Sequence, residues 1–531
     1  MTQHLSKNGN TLTHLLFAVL LFSYVGLGWW LLWHIPYSFP FGGPDELMHL
    51  SMADYIAKHL SWPQWDSKEV VRNAYGVSYS GGGSIVYWLH GLNYRIFGVH
   101  RIGGFLLLLF YLALSVWVYR KCVLAGFLLL AGLFPQTLFI FSYVNSDSGT
   151  IVTALLMGMA TALFVTGEKR LGNLFLFFFF AGLAVTARQH LWAIAFLTFV
   201  WALVYKRKML LSYDKKYWLA ALLLALLPAS WWFITSYTCN DGDILGVFTN
   251  AKSIMQFGNP DLPSLARSWS EISVSDFLHS TLISLYANWG WMSLALHPYE
   301  YYIVGITGIL ILLALFTQVD KRLFFFFVLL VAVNFGFMLL YSTYYDYQAQ
   351  GRYLFPSVYI VLGMIAAIFV TRRIYSKLLL SLLIIFAFGN IYFSTKLALL
   401  SYAEYFHTKP VLWRKHPTQY TDNAAFHIDQ LQIIDGALLI RGWIYDKRSN
   451  QPFDSVHLVL QKGASYYKIP LQQELRPDVA SAFKNSALEE SGFAAKLVDL
   501  KHLSKGNYRY LFAVKKQGNE LLVRIGHSLK I

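Results

Sequence analysis

Asp45, Glu46 and His49 fall within five residues, in the stretch FPFGGPDELMHL that directly follows a long apolar run. On a helix, Asp45 and His49 share a face, and Glu46 stands three positions before His49. Two carboxylates and an imidazole so spaced suit general-base work. Should the chemistry need a divalent metal, Mg or Mn, these are the three residues to hold it. Other polar groups also stand at the ends of apolar runs. They are Asn145 and Asp147 in NSD, Arg188 and His190 in ARQH, Asn288 to Trp291 in ANWGW, and Asp346, Gln350, Arg352 and Tyr353 in YDYQAQGRY. Acids, amides, histidines and two arginines on one side of a bundle would make a site for an anionic, polyhydroxylated ligand. Arginine recognises phosphate bidentately, and Trp and Tyr suit the face of a sugar.

Each group also has a plainer reading. Pro44 at a first helical position, with two acids in the first turn, is ordinary helix-start chemistry. NSD reads equally as a turn that caps the next helix. Arg188 and Arg352 suit snorkelling to a membrane interface, and aromatic belts need no ligand. Ionisable groups at membrane depth nevertheless default to a functional hypothesis.

The elements that must position these residues follow from composition. Of 531 residues 56% are hydrophobic and only 13% charged, about half the charged share of a soluble domain. Apolar runs predict an all-α polytopic membrane protein with about eleven spans, near 12–34, 101–119, 122–142, 148–166, 171–187, 189–205, 217–236, 299–318, 323–341, 353–371 and 377–399. The first is too long for a signal-peptide core and is read as retained. The formal charge of +15 sits in short clusters between runs, a topology signal rather than a nucleic-acid footprint. Arg120-Lys121, Lys169-Arg170, Lys206-Arg207-Lys208, Lys321-Arg322 and Arg372-Arg373 all fall on one side. That frame puts the N-terminus in the cytoplasm. It puts the loops at about 35–100 and 237–298, the polar groups above and the C-terminus outside. Residues 1–400 form the membrane domain and 401–423 a linker. Alternating strands in 424–531 (SVHLVLQ, NYRYLFAVK) predict a small β-sandwich-like accessory domain. Cys122 and Cys239 give no disulfide framework.

A first span followed at once by an acidic pair in an outer loop, then many spans and an outer soluble tail, resembles GT-C type glycosyltransferases. Within them GGPDELMHLSMADYIAKH, YVNSDSG, ANWGW and QGRYLFP are similar, in order, to a family of predicted bacterial multi-pass proteins of unassigned function. The likeness spans roughly residues 10–400. NWGWM departs from that family's fuller WG.FGW form, which weakens the case for Trp289 and Trp291. The tail's IRGWIYD, RPDV and SGF resemble β accessory domains found with bacterial glycosyltransferases. The resemblance implies a bacterial inner-membrane transferase that moves a sugar from a polyprenyl-phosphate donor to a cell-envelope glycan or lipid on the outer face. Membrane lipid is then a partner and nucleic acid is not. It makes Asp45 the base, with Glu46 second, and Arg352 the contact to the donor phosphate. Asp147 and Arg188 assist, and His190, Asn145, His49, Gln350 and Tyr353 line the substrate site. One base with in-line attack inverts the anomeric centre, whereas retention needs a second carboxylate as nucleophile.

The main rival is a transporter or flippase for a lipid-linked saccharide. It predicts internal repeats and broken helices near the midplane; no repeat is visible, and Asn334 and Asn390 are the clearest polar interruptions. A third reading is a glycan-binding scaffold. The absence of a GxxxxGK[ST] loop argues against ATP-driven transport.

Overall fold

The computed structural model describes the chain outside residues 1–10, 36–42, 44, 74, 82–83, 168–169, 260–263, 265, 291, 293, 407–410, 414–418, 435–436, 475, 501–502 and 531. Pro44 and Trp291 therefore lie outside the described residues. Two compact units meet in sequence between Ala398 and Leu399.

The first unit is helical. Its helices are α1 (Thr11–His34), α2 (Glu46–His59), α3 (Val86–Phe97), α4 (Ile102–Lys121), α5 (Val123–Ala131), α6 (Pro135–Phe141), α7 (Asp147–Thr166), α8 (Leu171–Val185) and α9 (His190–Tyr205). A short α10 (Arg207–Leu210) leads to α11 (Lys215–Cys239), α12 (Val247–Phe257) and α13 (Val274–Tyr286). A small hairpin, β1 (Asn288–Trp289) with β2 (Leu294–Ala295), precedes α14 (Pro298–Gln318), α15 (Lys321–Tyr344), α16 (Phe355–Arg372) and α17 (Lys377–Phe406). All eleven expected spans are helical. Eight are long and apolar enough to cross a membrane, α5 and α6 form a pair bent by 76°, and α8 and α9 are shorter. At 1.5 Å per residue, 15 or 16 residues reach only about 22–24 Å, short of a ~30 Å hydrocarbon core. The two expected loops are not structureless. They hold α2, α3, α12 and α13, whose mixed composition hides them among the apolar runs.

Helices α7 and α16 are the buried centre, while α11 and α14 are mostly exposed. Helices α7 and α16 run parallel in backbone contact. A methyl on Gly158 would stand 2.0 Å from the Ile360 carbonyl, and one on Gly363 2.2 Å from that of Leu155. Small residues permit this approach where lipid offers no hydrophobic drive. Both helices begin at the same end, so Asp147 at the start of α7 and Arg352 just before α16 are brought together.

The α5–α6 break leaves carbonyls that water would otherwise solvate, and in an apolar bundle each needs a donor. Tyr111 donates to Leu129 O (2.8 Å), Tyr24 to Leu130 O (3.0 Å), Asn390 to Ala131 O (2.8 Å) and Tyr359 to Gly132 O (2.7 Å). Asn390 is thus part of a helix repair. Asn334 donates to Tyr353 O and Ser357 Oγ and anchors the start of α16.

The second unit is an antiparallel β-sandwich. Its strands are β3 (Val411–Leu412), β4 (Ala424–Ile434), β5 (Ala437–Asp446), β6 (Gln451–Pro452), β7 (Ser455–Lys462), β8 (Ser465–Pro470), β9 (Gln472–Glu474), β10 (Gly492–Asp499), β11 (Asn507–Lys516) and β12 (Asn519–Lys530). One sheet runs β4-β5-β10-β9 with β6 beside β5; the other runs β12-β11-β7-β8-β3. Period-two alternation puts Leu438 and Ile440 of β5, Leu458 and Leu460 of β7, and Tyr508, Tyr510 and Phe512 of β11 into one core. The tail motifs are largely structural. Arg441 pairs with Glu474 and Arg476 with Asp429, while Gly442 and Gly492 make room for backbone and for the Arg476 stem.

Candidate active site

Asp45 precedes α2 with φ +58°, a left-handed backbone that Asp tolerates better than most residues. Its side chain makes no capping hydrogen bond, so helix-start chemistry does not use it. The half-buried carboxylate instead accepts from the Tyr79 hydroxyl at 3.1 Å. Tyr79 in turn accepts from Arg188 Nη2 at 3.5 Å. Burial, and next the Asp45 charge, hold the Tyr79 phenol well above its ordinary pKa, so it stays a donor.

Glu46 faces elsewhere. Its oxygens take both Nε (2.8 Å) and Nη2 (2.6 Å) of Arg101, and Oε1 also accepts from Val144 N at 3.0 Å. Both side chains of the pair are fully buried. A carboxylate so committed is a structural anchor, and the geometry does not suit it to proton abstraction. His49 is buried too, with Nδ1 2.5 Å from the Tyr87 hydroxyl and its ring stacked 4.0 Å from that of Tyr79. Burial, then the charge on Arg188, keep its imidazole well below the ordinary histidine pKa, hence neutral. Asp45, Glu46 and His49 thus address three different partners and do not fit a shared cation. Among the described residues no group of three or more His, Cys, Asp or Glu could hold a metal.

The central charges belong to Asp147, Arg188 and Arg352. Asp147 Oδ1 accepts from Arg188 Nη1 at 2.6 Å, and Arg352 Nη1 stands 3.9 Å from Oδ2. Arg352 is only 6% exposed. Among the described residues Asp147 Oδ2, Arg352 Nε and His190 Nε2 are buried without a hydrogen-bond partner. Buried polar atoms are ordinarily satisfied, and each unmet one costs about 1–3 kcal/mol, more if charged. Three in one cluster is the pattern of a site shaped for a polar ligand. Tyr353 closes it: its ring lies 5.3 Å from the Arg352 guanidinium, 5.9 Å from that of Arg188 and 5.5 Å from the His190 ring.

The remaining expected residues support this arrangement. Asn145 is fully buried, donates to Ile140 O and Tyr143 O and accepts from Ser148 N; it shapes the turn that starts α7. Gln350 precedes the 3-10 turn Gly351–Leu354. Trp289 is buried, donates to Pro135 O and stacks on Phe139, bracing α6. Asp346 is half-buried, and burial first, with the Asp45 charge contributing, raises its pKa. Sequence reasoning missed Arg101, Tyr79 and Tyr87.

The 3-10 turn owes its place to Gly351. A Cβ there would lie 2.0 Å from Leu285 N and 2.2 Å from Leu285 Cα, both backbone of α13. Gly351→Ala is therefore expected to destabilise by about 1–3 kcal/mol or more and to displace Arg352. Gly305→Ala, in open space on α14, is the control. Thermal unfolding of both in detergent checks this; equal midpoints would refute it.

A polytopic helical membrane protein with a buried cluster of charged side chains at one end of its bundle and a β-sandwich unit is the class that fold and site define. The chain belongs to the family described as predicted membrane protein (DUF2142), whose model matches residues 91–361. That segment includes Asn145, Asp147, Arg188, His190, Arg352 and Tyr353 and excludes Asp45. Among solved structures the chain is similar to ArnT from Cupriavidus metallidurans bound to undecaprenyl phosphate. That match has 14% identity and a TM-score of 0.44 and covers 74% of this chain and 77% of that one. No curated protein matches.

Proposed function

We propose that the protein is a GT-C type glycosyltransferase that takes a sugar from a polyprenyl-phosphate donor and passes it to a cell-envelope glycan or lipid at the outer face of the bacterial inner membrane. The observation that carries this reading is Arg352: a buried guanidinium with an unpartnered Nε, beside an unpartnered carboxylate oxygen of Asp147. A phosphate oxygen is the acceptor that would satisfy such a cation in a water-poor site. Asp45 is the base. It takes the proton of the acceptor hydroxyl as that oxygen bonds to the anomeric carbon. The bond from that carbon to the phosphate oxygen breaks, and its electron pair leaves on the phosphate. Arg352 and Arg188 stabilise that charge. Tyr79 orients Asp45, Tyr353 and His190 flank the phosphate, and Glu46 with Arg101 fixes the base's helix. His49, Asn145 and Gln350 position the surrounding wall.

The α5–α6 break favours a lipid-saccharide flippase. Its carbonyls are capped by Tyr24, Tyr111, Tyr359 and Asn390, which leaves them little capacity for a transported ion. Binding of a radiolabelled polyprenyl-phosphate sugar to the protein in nanodiscs tests the reading. Losing a charged hydrogen bond costs about 1.5–3 kcal/mol, so Arg352→Gln is expected to weaken binding about 10- to 150-fold. Unchanged donor affinity would remove Arg352 from the phosphate site.

A further inference from the structure

Helix α12 is amphipathic the wrong way round for a loop in water. At 100° per residue, Ile254, Val247, Ala251, Met255 and Phe248 occupy one arc of about 120°. That arc points outward, with Met255 87% and Phe248 75% exposed. The polar residues Thr249 and Ser253 face the protein and are buried.

The start of the helix is tied to the end of α11. Asp243 Oδ2 accepts from Thr249 N at 2.8 Å, and Thr249 Oγ1 donates to Asn240 O at 3.2 Å. Helix α11 is long and apolar enough to span, and its last turns expose Ile234 and Tyr237. Exposed Ile244 and Leu245 follow in the connection. Exposed apolar side chains thus run along the chain from the last turns of a candidate span to the outward face of α12.

We infer that α12 is an interfacial helix whose Val247–Met255 arc sits among the acyl chains of the bilayer at the end of α11 where the candidate site lies. An arc of large apolar side chains is the expected lipid face of such a helix, and lipid explains why the polar side turns inward.

The inner face of α12, the end of α11 and the connection between them together hold two site segments. Ser253 donates to Gly76 O at 2.6 Å, Asn240 to Gly81 O at 3.3 Å, and Gln189, the neighbour of Arg188, to Leu245 O at 3.1 Å. Between Gly76 and Gly81 lies Tyr79, the donor to Asp45. Anchoring α12 in lipid therefore fixes the loop that orients Asp45, whatever reaction follows.

Nitroxide labels at Phe248→Cys, Met255→Cys and Gln256→Cys, in the full chain in phosphatidylethanolamine–phosphatidylglycerol nanodiscs, test this. Labelling of the unsubstituted chain serves as background for Cys122 and Cys239. Positions 248 and 255 should collide with oxygen at least several-fold more than with an aqueous nickel chelate, and position 256 should reverse that preference. Nickel access at 248 and 255 would overturn the inference. So would protection from both reagents, which means cover by protein, or spin–spin broadening, which means a second copy. As a second readout, Phe248→Asp with Met255→Asp should raise amide exchange several-fold in residues 75–81. Unchanged exchange there would refute the coupling.

Discussion

Asp45→Asn is expected to leave a folded protein that still binds donor lipid but transfers sugar about 10²–10⁴-fold more slowly, the usual contribution of a positioned general base. The substitution is nearly isosteric. Asparagine tolerates the left-handed backbone at this position, and its side-chain oxygen still accepts from Tyr79. What it lacks is a carboxylate to take the acceptor's proton. The measurement is single-turnover transfer from a radiolabelled polyprenyl-phosphate sugar to a membrane-glycan extract, run beside donor binding. Equal transfer by both proteins would remove Asp45 from the chemistry and move attention to Asp346, whose titration responds to the Asp45 charge.

The adjacent carboxylate should behave in the opposite way. Glu46→Ala removes the carboxylate that takes Nε and Nη2 of the fully buried Arg101 guanidinium, whose Nη1 stands 2.5 Å from the Ile35 carbonyl. Breaking a buried pair from one side costs about 3–5 kcal/mol, whereas replacing both partners by apolar residues of similar volume is often neutral. Glu46→Ala is thus expected to lower the thermal midpoint in detergent by many degrees, and Glu46→Leu with Arg101→Met to recover most of that loss. A Glu46→Ala protein as stable as wild type would show that the pair does not hold this end of the bundle. Two neighbouring acids are thereby separated: one is read out in turnover at constant stability, the other in stability itself.

Much of the site was legible because polar residues stand out at the ends of apolar runs. Asp147, Arg188, Arg352 and Tyr353 do meet in space; the motif order pointed to Asp147, Arg352 and Tyr353, and Arg188 stood out as a charge at the end of an apolar run. Arg101 was not legible. It opens an apolar run, where a basic residue reads as a topology marker, and only the fold reveals that Glu46 faces it. Tyr79 and Tyr87 were hidden in the same way by an aromatic-rich loop that looks like an interfacial belt. The helices α2, α3, α12 and α13 escaped because their buried faces include small and polar residues such as Ser51, His90, Thr249 and Ser253. The β-sandwich was easier: its strands alternate every second residue and are separated by turn formers.

The glycine contacts between α7 and α16 have a mechanical consequence. Side chains between helices act as springs, because they change rotamer when helices tilt. Here backbone touches backbone, with nothing compressible between, so the gap from Asp147 to Arg352 behaves as a fixed gauge. A bilayer that thickens or thins will tilt the peripheral α11 and α14 well before it alters that gauge. A ligand too large for it must then be accommodated by the surrounding loops, because the central pair has no slack to yield.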